Sequence, residues 1–133
     1  MKLFTLREAN DLLPEVIPKL TAIRALYVVI DGLRPEARAA AGASNLGGGM
    51  EGGTDYVNTL YQIGKHTTEI HELGIEIKDP SRGLIDFPSM RGDRVVQLCW
   101  QIGDGDEIEL WHEMEAGFAG RHKLYLFHRF STK

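Results

Sequence analysis

The densest run of groups able to do chemistry is Trp111 to Arg121, WHEMEAGFAGR, where His112 stands beside Glu113 and Glu115 and shortly before Arg121. A histidine with nearby carboxylates can ligate a divalent metal or relay protons, because a neutral ring nitrogen offers its lone pair to either. Metal sites usually need three or more protein ligands, and Asp86 is the carboxylate from elsewhere that can join, giving a candidate metal set of Asp86, His112 and Glu113. The same residues have a plainer use, a half-buried histidine satisfied by a carboxylate or carbonyl where the chain leaves a strand. Gly117-Phe118-Ala119-Gly120-Arg121 suggests anion binding instead. Two glycines let successive backbone N–H groups turn toward one point, and Arg121 adds a forked donor suited to phosphate or carboxylate. The alternative is a strained turn in which Phe118 plugs the core and Arg121 pairs with Glu113, Glu115 or Asp86. Asp86, His112 and Arg121 are the expected ligand-binding residues.

Other reactive side chains point less far. Five residues separate His66 from His71, which sets them about 140° apart on a helix and argues against a shared site. His66 groups with polar Gln62 and Glu69, whereas His71 falls in an apolar stripe and reads as a packed histidine. Cys99, the single cysteine, has no base beside it in sequence and reads as a structural thiol. Trp100 and Trp111 fall on successive strands and are expected to pair across them in the core rather than form a ligand cage. Gly47-Gly48-Gly49 lacks the Gly-Lys-Ser/Thr ending of a phosphate loop and follows no strand pattern. No Ser-His-Asp signature or nucleophile elbow is present.

These residues need elements to hold them. Thr5 and Glu8 form a Thr-x-x-Glu capping box, which starts a short helical turn before Pro14 opens a long helix. Val16, Leu20, Ile23, Tyr27 and Ile30 recur at helical steps on one face, and Pro35 is expected to end or kink that helix at Arg34. Gly42 to Gly53 holds six glycines in twelve residues, too little apolar surface to repay ordering, and reads as a flexible connection. Thr54 caps a second helix whose less polar face carries Tyr56, Val57, Leu60, Ile63, Gly64, Thr67, Ile70 and His71, and Gly74 ends it. From Ile75 the period becomes two. Asp79-Pro80-Ser81-Arg82-Gly83 turns the chain, Leu84 to Phe87 returns until Pro88, and Arg91-Gly92-Asp93 leads into Val95 to Ile102. Gly103-Asp104-Gly105-Asp106 turns again before Glu107 to His112. The expected fold is α+β, a long antiparallel helical hairpin packed on a small antiparallel sheet of about four strands.

Composition bounds the function classes. A chain of 133 residues is one domain, here 1–133 with its Gly-rich connection at 42–53. Its formal charge of −4, without a basic block, gives no footprint for nucleic acid. No apolar run approaches the roughly 20 residues of a membrane span, and one cysteine makes no intrachain disulfide, so a reducing cytosol fits. Apolar side chains spread around the second helix, among them Tyr56, Tyr61 and Ile63, suggest a twofold partner and a homodimer.

Three segments carry a resemblance: LFTLREANDLLPEV near the start, GIEIKDPSRGLIDFP in the middle, and LCWQIGDGDEIELWHEMEAGFAGR near the end. Together they resemble the DUF2203 family of bacterial proteins, from Leu3 to Arg121. The resemblance implies a small bacterial cytosolic protein and marks Asp79, Gly83, Asp86, Trp100, Trp111, His112, Gly117 and Arg121 as positions matching its pattern, but it brings no activity, substrate or cofactor. The expected function is a binding or interaction module for a small anionic ligand or a protein partner. The alternative is a small metal-dependent hydrolase in which His112, Glu113 and Asp86 hold a divalent cation and Arg121 orients the substrate.

Overall fold

The computed structural model describes residues 1–43, 53–115 and 120–124. It is an α+β fold with helices α1 (Leu6–Ala43) and α2 (Gly53–Glu72) and strands β1 (Glu76–Asp79), β2 (Leu84–Arg91), β3 (Arg94–Gln101), β4 (Leu110–Glu113) and β5 (His122–Lys123). The strands form one antiparallel sheet in sequence order, β1-β2-β3-β4-β5. Five strands replace the expected four. The fifth has only two residues, too few for alternation to appear in sequence, and is recognised by Leu110 and Trp111 of β4 facing Lys123 and His122.

The capping box forms as expected. Thr5 N–H donates to Glu8 Oε1 at 2.8 Å and Glu8 N–H donates to Thr5 Oγ1 at 3.0 Å. Beyond the cap, α1 is one element running through Pro14, Pro18 and Pro35, instead of the expected short turn and second helix ending at Arg34. Proline inside a helix costs about 3 kcal/mol, mostly through a lost hydrogen bond and a clash one turn back. The opposing force is a continuous stripe, Ala9, Leu13, Val16, Leu20, Ile23 and Ile30, all buried across the first two prolines. Most of the 42–53 connection, residues 44–52, lies outside the described residues.

On α2 the buried line is Thr59, Ile63 and Ile70, with Val57, Leu60 and His71 exposed. The expected stripe is wider than the face that is buried, which follows the 63-to-70 heptad. One core cluster joins the α1 stripe and Ile70 to Phe4, Ile85, Phe87, Val96, Leu98, Trp100, Ile108 and Trp111.

Register decides which strand residues enter that core. Ile85 faces Trp100, Phe87 faces Leu98 and Ser89 faces Val96 across β2 and β3, and Trp111 of β4 faces Leu98. The two tryptophans are core residues, yet they are not cross-strand partners; Trp100 instead donates from Nε1 to the Gly105 carbonyl at 3.1 Å. Strand β2 continues past Pro88, contrary to expectation. Pro88's carbonyl accepts from Phe4 N–H at 2.7 Å. A strand residue's N–H and C=O lie on the same side, so the missing donor points beyond the end of β1 and away from β3, where a proline is tolerated. Gly83 completes the β1–β2 turn at φ 66°, and a Cβ there would collide with the Ile102 side chain. Both conformation and space require glycine.

Candidate functional site

Because side chains alternate along a strand, the residues between the core positions of β2, β3 and β4 occupy the opposite face of the sheet. Asp86 faces Cys99, Gln97 faces His112, and Cys99 also faces Leu110. His112 therefore does not lie on the core side of β4, as expected; Trp111 does. The polar face is nevertheless buried, with Asp86 1%, Cys99 1%, Gln97 1% and His112 3% exposed.

His112 is held at both ring nitrogens. Nδ1 is 2.7 Å from the Glu113 carbonyl and Nε2 is 3.1 Å from each carboxylate oxygen of Asp86. A carbonyl can only accept, so Nδ1 carries a proton and donates it. Nε2 then faces the Asp86 carboxyl, and a bare lone pair against a bare carboxylate would repel. One proton between them makes the contact attractive and the buried pair neutral. Burial pushes the Asp86 carboxyl above its usual range, with the charge and hydrogen bond of His112 pulling the other way.

Cys99 completes the cluster. Its Sγ, one Asp86 oxygen and one His112 nitrogen all lie within 4.8 Å of one another. Burial first, and the Asp86 charge second, push the thiol up to about 11, while Arg121 opposes both through a hydrogen bond and its charge. Arg121 is half-buried and so joins the cluster through the thiol.

Glu113 does not. Its carboxylate accepts from Arg94 Nε at 3.1 Å and Nη2 at 2.6 Å, and it contributes to the site only the backbone carbonyl that anchors His112. Glu115 is exposed, and Arg91 lies over the Trp111 ring at 4.4 Å, at a distance from its centroid typical of a cation–π contact. Of the Gly117 to Arg121 anion turn, Gly117, Phe118 and Ala119 lie outside the described residues. Sequence reasoning missed Cys99 and Gln97. The signal was the register, since placing Asp86 opposite Cys99 needs both the β2–β3 turn and an unbroken period of two. Gln97 Nε2 donates to Met114 Sδ at 3.1 Å, but Gln97 Oε1 is buried with no hydrogen-bond partner among the described residues.

Thiol, imidazole and carboxylate so close together form a donor set that suits a borderline transition metal. Residues 2–124 match the family model described as Uncharacterized conserved protein (DUF2203). The chain belongs to the DUF2203 family. That match spans α1 through β5 and takes in every member of the DUF2203 chain's polar cluster, Asp86, Cys99, His112 and Arg121. No curated protein and no solved structure matches it. No helix among the described residues is long and apolar enough to cross a membrane.

Proposed function

We propose that the protein is a small binding module that takes an anionic ligand through Arg121 at the rim of the Asp86, Cys99 and His112 cluster, and is not a hydrolase. The observation that carries this reading is the burial gradient: three members are at most 3% exposed, whereas Arg121 is only half-buried. An organic substrate is too large to reach groups this deeply buried, whereas an anion can reach a guanidinium at their edge. The hydrolase alternative also needs Glu113 as a ligand, and Arg94 holds that carboxylate. In this reading the two helices form a hairpin on the core face of the sheet, and the ligand meets only the rim of the opposite face at Arg121. The single buried thiol agrees with a bacterial cytosolic setting.

Calorimetric titration with inorganic phosphate and with acetate tests the proposal. Saturable binding that weakens about tenfold in Arg121→Ala, the loss of one charge-assisted contact, is the expected result. No saturable heat, or equal affinity in the variant, rejects it.

A partner surface has separate support. Val57, Leu60 and Tyr61 of α2 are exposed, and Leu60 and Tyr61 line a shallow groove with Gly64, Lys65 and Thr68. Exposed apolar side chains along one helix favour a homodimer. Sedimentation of the full chain should then show a dimer that Tyr61→Glu dissociates; a monomer at high micromolar concentration removes that part.

A further inference from the structure

We infer that Asp86, Cys99 and His112 form a binding centre for a divalent transition metal of the zinc class, a site that sequence spacing alone does not reveal. The anion reading does not require it.

Three features converge. The donors are of three kinds, come from three adjacent strands and lie within 4.8 Å of one another, close to the spacing that ligands take around a small tetrahedral ion. The imidazole is already aimed, because Nδ1–H donates to the Glu113 carbonyl and turns Nε2 toward Asp86. A metal-ligating histidine is commonly oriented in this way by a carbonyl on its other nitrogen. Strand β3 also supplies an unmet acceptor on the same face. Gln97 Oε1 is buried without a hydrogen-bond partner among the described residues, at the register position opposite His112, and a metal-bound water would satisfy it.

Binding converts the Cys99 thiol to a thiolate and displaces the proton held between Asp86 and His112 Nε2, so about two protons leave for each cation bound. Nothing is oxidised or reduced. Adventitious cation binding at the surface displaces no thiol proton, which separates the two kinds of site.

The test is a cobalt(II) titration of the chelator-stripped full chain in phosphate-free, weakly coordinating buffer. A sulfur-to-cobalt charge-transfer band reaching its plateau at one equivalent, with four-coordinate visible bands and bleaching by zinc, is the expected result. The sequence has one cysteine, so the parent spectrum by itself assigns the sulfur. Cys99→Ser should abolish the band and weaken binding at least about tenfold, with circular dichroism confirming that the variant is folded. Absence of the charge-transfer band from the folded parent overturns the inference, as does release of no protons on binding. Phosphate binding is scored on the chelator-stripped parent in a separate titration, so failure of the metal site and failure of the anion reading are separate results.

Discussion

Asp86 and His112 reach each other across an intervening strand: Nε2 is 3.1 Å from both carboxylate oxygens, although β3 lies between β2 and β4. Strands next but one to each other lie roughly 10 Å apart, so both side chains must lean inward over β3. Cys99, directly opposite Asp86, is small enough to sit beneath that bridge.

The pair makes stability depend on pH. Burial raises the Asp86 carboxyl, so the folded chain keeps a proton that the unfolded chain gives up near the ordinary aspartate value of about 3.9. Stability from that proton is fully present below the unfolded value and is lost as pH rises through the folded one. With chelator present, the thermal midpoint of the parent relative to Asp86→Asn should therefore fall between acid and neutral pH. A parent that gains on the variant over that range would show the opposite sign.

Removing the imidazole leaves Asp86 buried and unpaired. His112→Ala should destabilise the chain by about 1–3 kcal/mol in urea unfolding, the range for orphaning a buried polar group. Combined with Asp86→Asn, the loss should be smaller than the sum of the two single effects, because the residues are in contact. Strict additivity would mean that the pair is not coupled.

Cys99 should be nearly inert in the native, metal-free chain. Its thiol is buried and pushed up to about 11, so little thiolate exists at neutral pH. A disulfide-exchange reagent should titrate one thiol in denaturant and react far more slowly without it. Equal rates would contradict the burial.

Glu113→Gln distinguishes the structural cluster from the ligand set expected from spacing. The pair with Arg94 is exposed, so its loss should cost about 0–1 kcal/mol, and the backbone carbonyl that orients His112 is unchanged. Cobalt should bind the variant as it binds the parent; loss of binding would restore Glu113 as a ligand.

Local chemistry made much of this fold legible. Thr5 and Glu8 announce the start of α1, Asp79 to Gly83 announces a turn, and alternation marks the strands. What stayed hidden is set by contacts between distant residues. Pro14 looks like a helix start until the core stripe that carries α1 through it and Pro18 is seen. The association of Asp86, His112 and Arg121 was readable from polarity, but the carboxylate choice was not: Glu113 is adjacent to His112 in sequence, and adjacent strand residues point to opposite faces. Cys99 was invisible for the same reason, since its partners lie on neighbouring strands.

The attachment of the amino-terminal segment has a consequence for the order of assembly. Phe4 N–H donates to Pro88, the Phe4 carbonyl accepts from Ser89 Oγ, and Asn10 Oδ1 accepts from Ile108 N–H. The partners of the Phe4 carbonyl and of Asn10 Oδ1 lie 85 and 98 residues farther along the chain. During synthesis α1 emerges first and α2 follows to cover part of its stripe, yet these anchors must wait until β2, β3 and the approach to β4 have been made. The oldest part of the nascent chain is among the last to be secured, and a ribosome paused before Pro88 holds out α1 with α2 to pack against but without the core residues of β3 and β4.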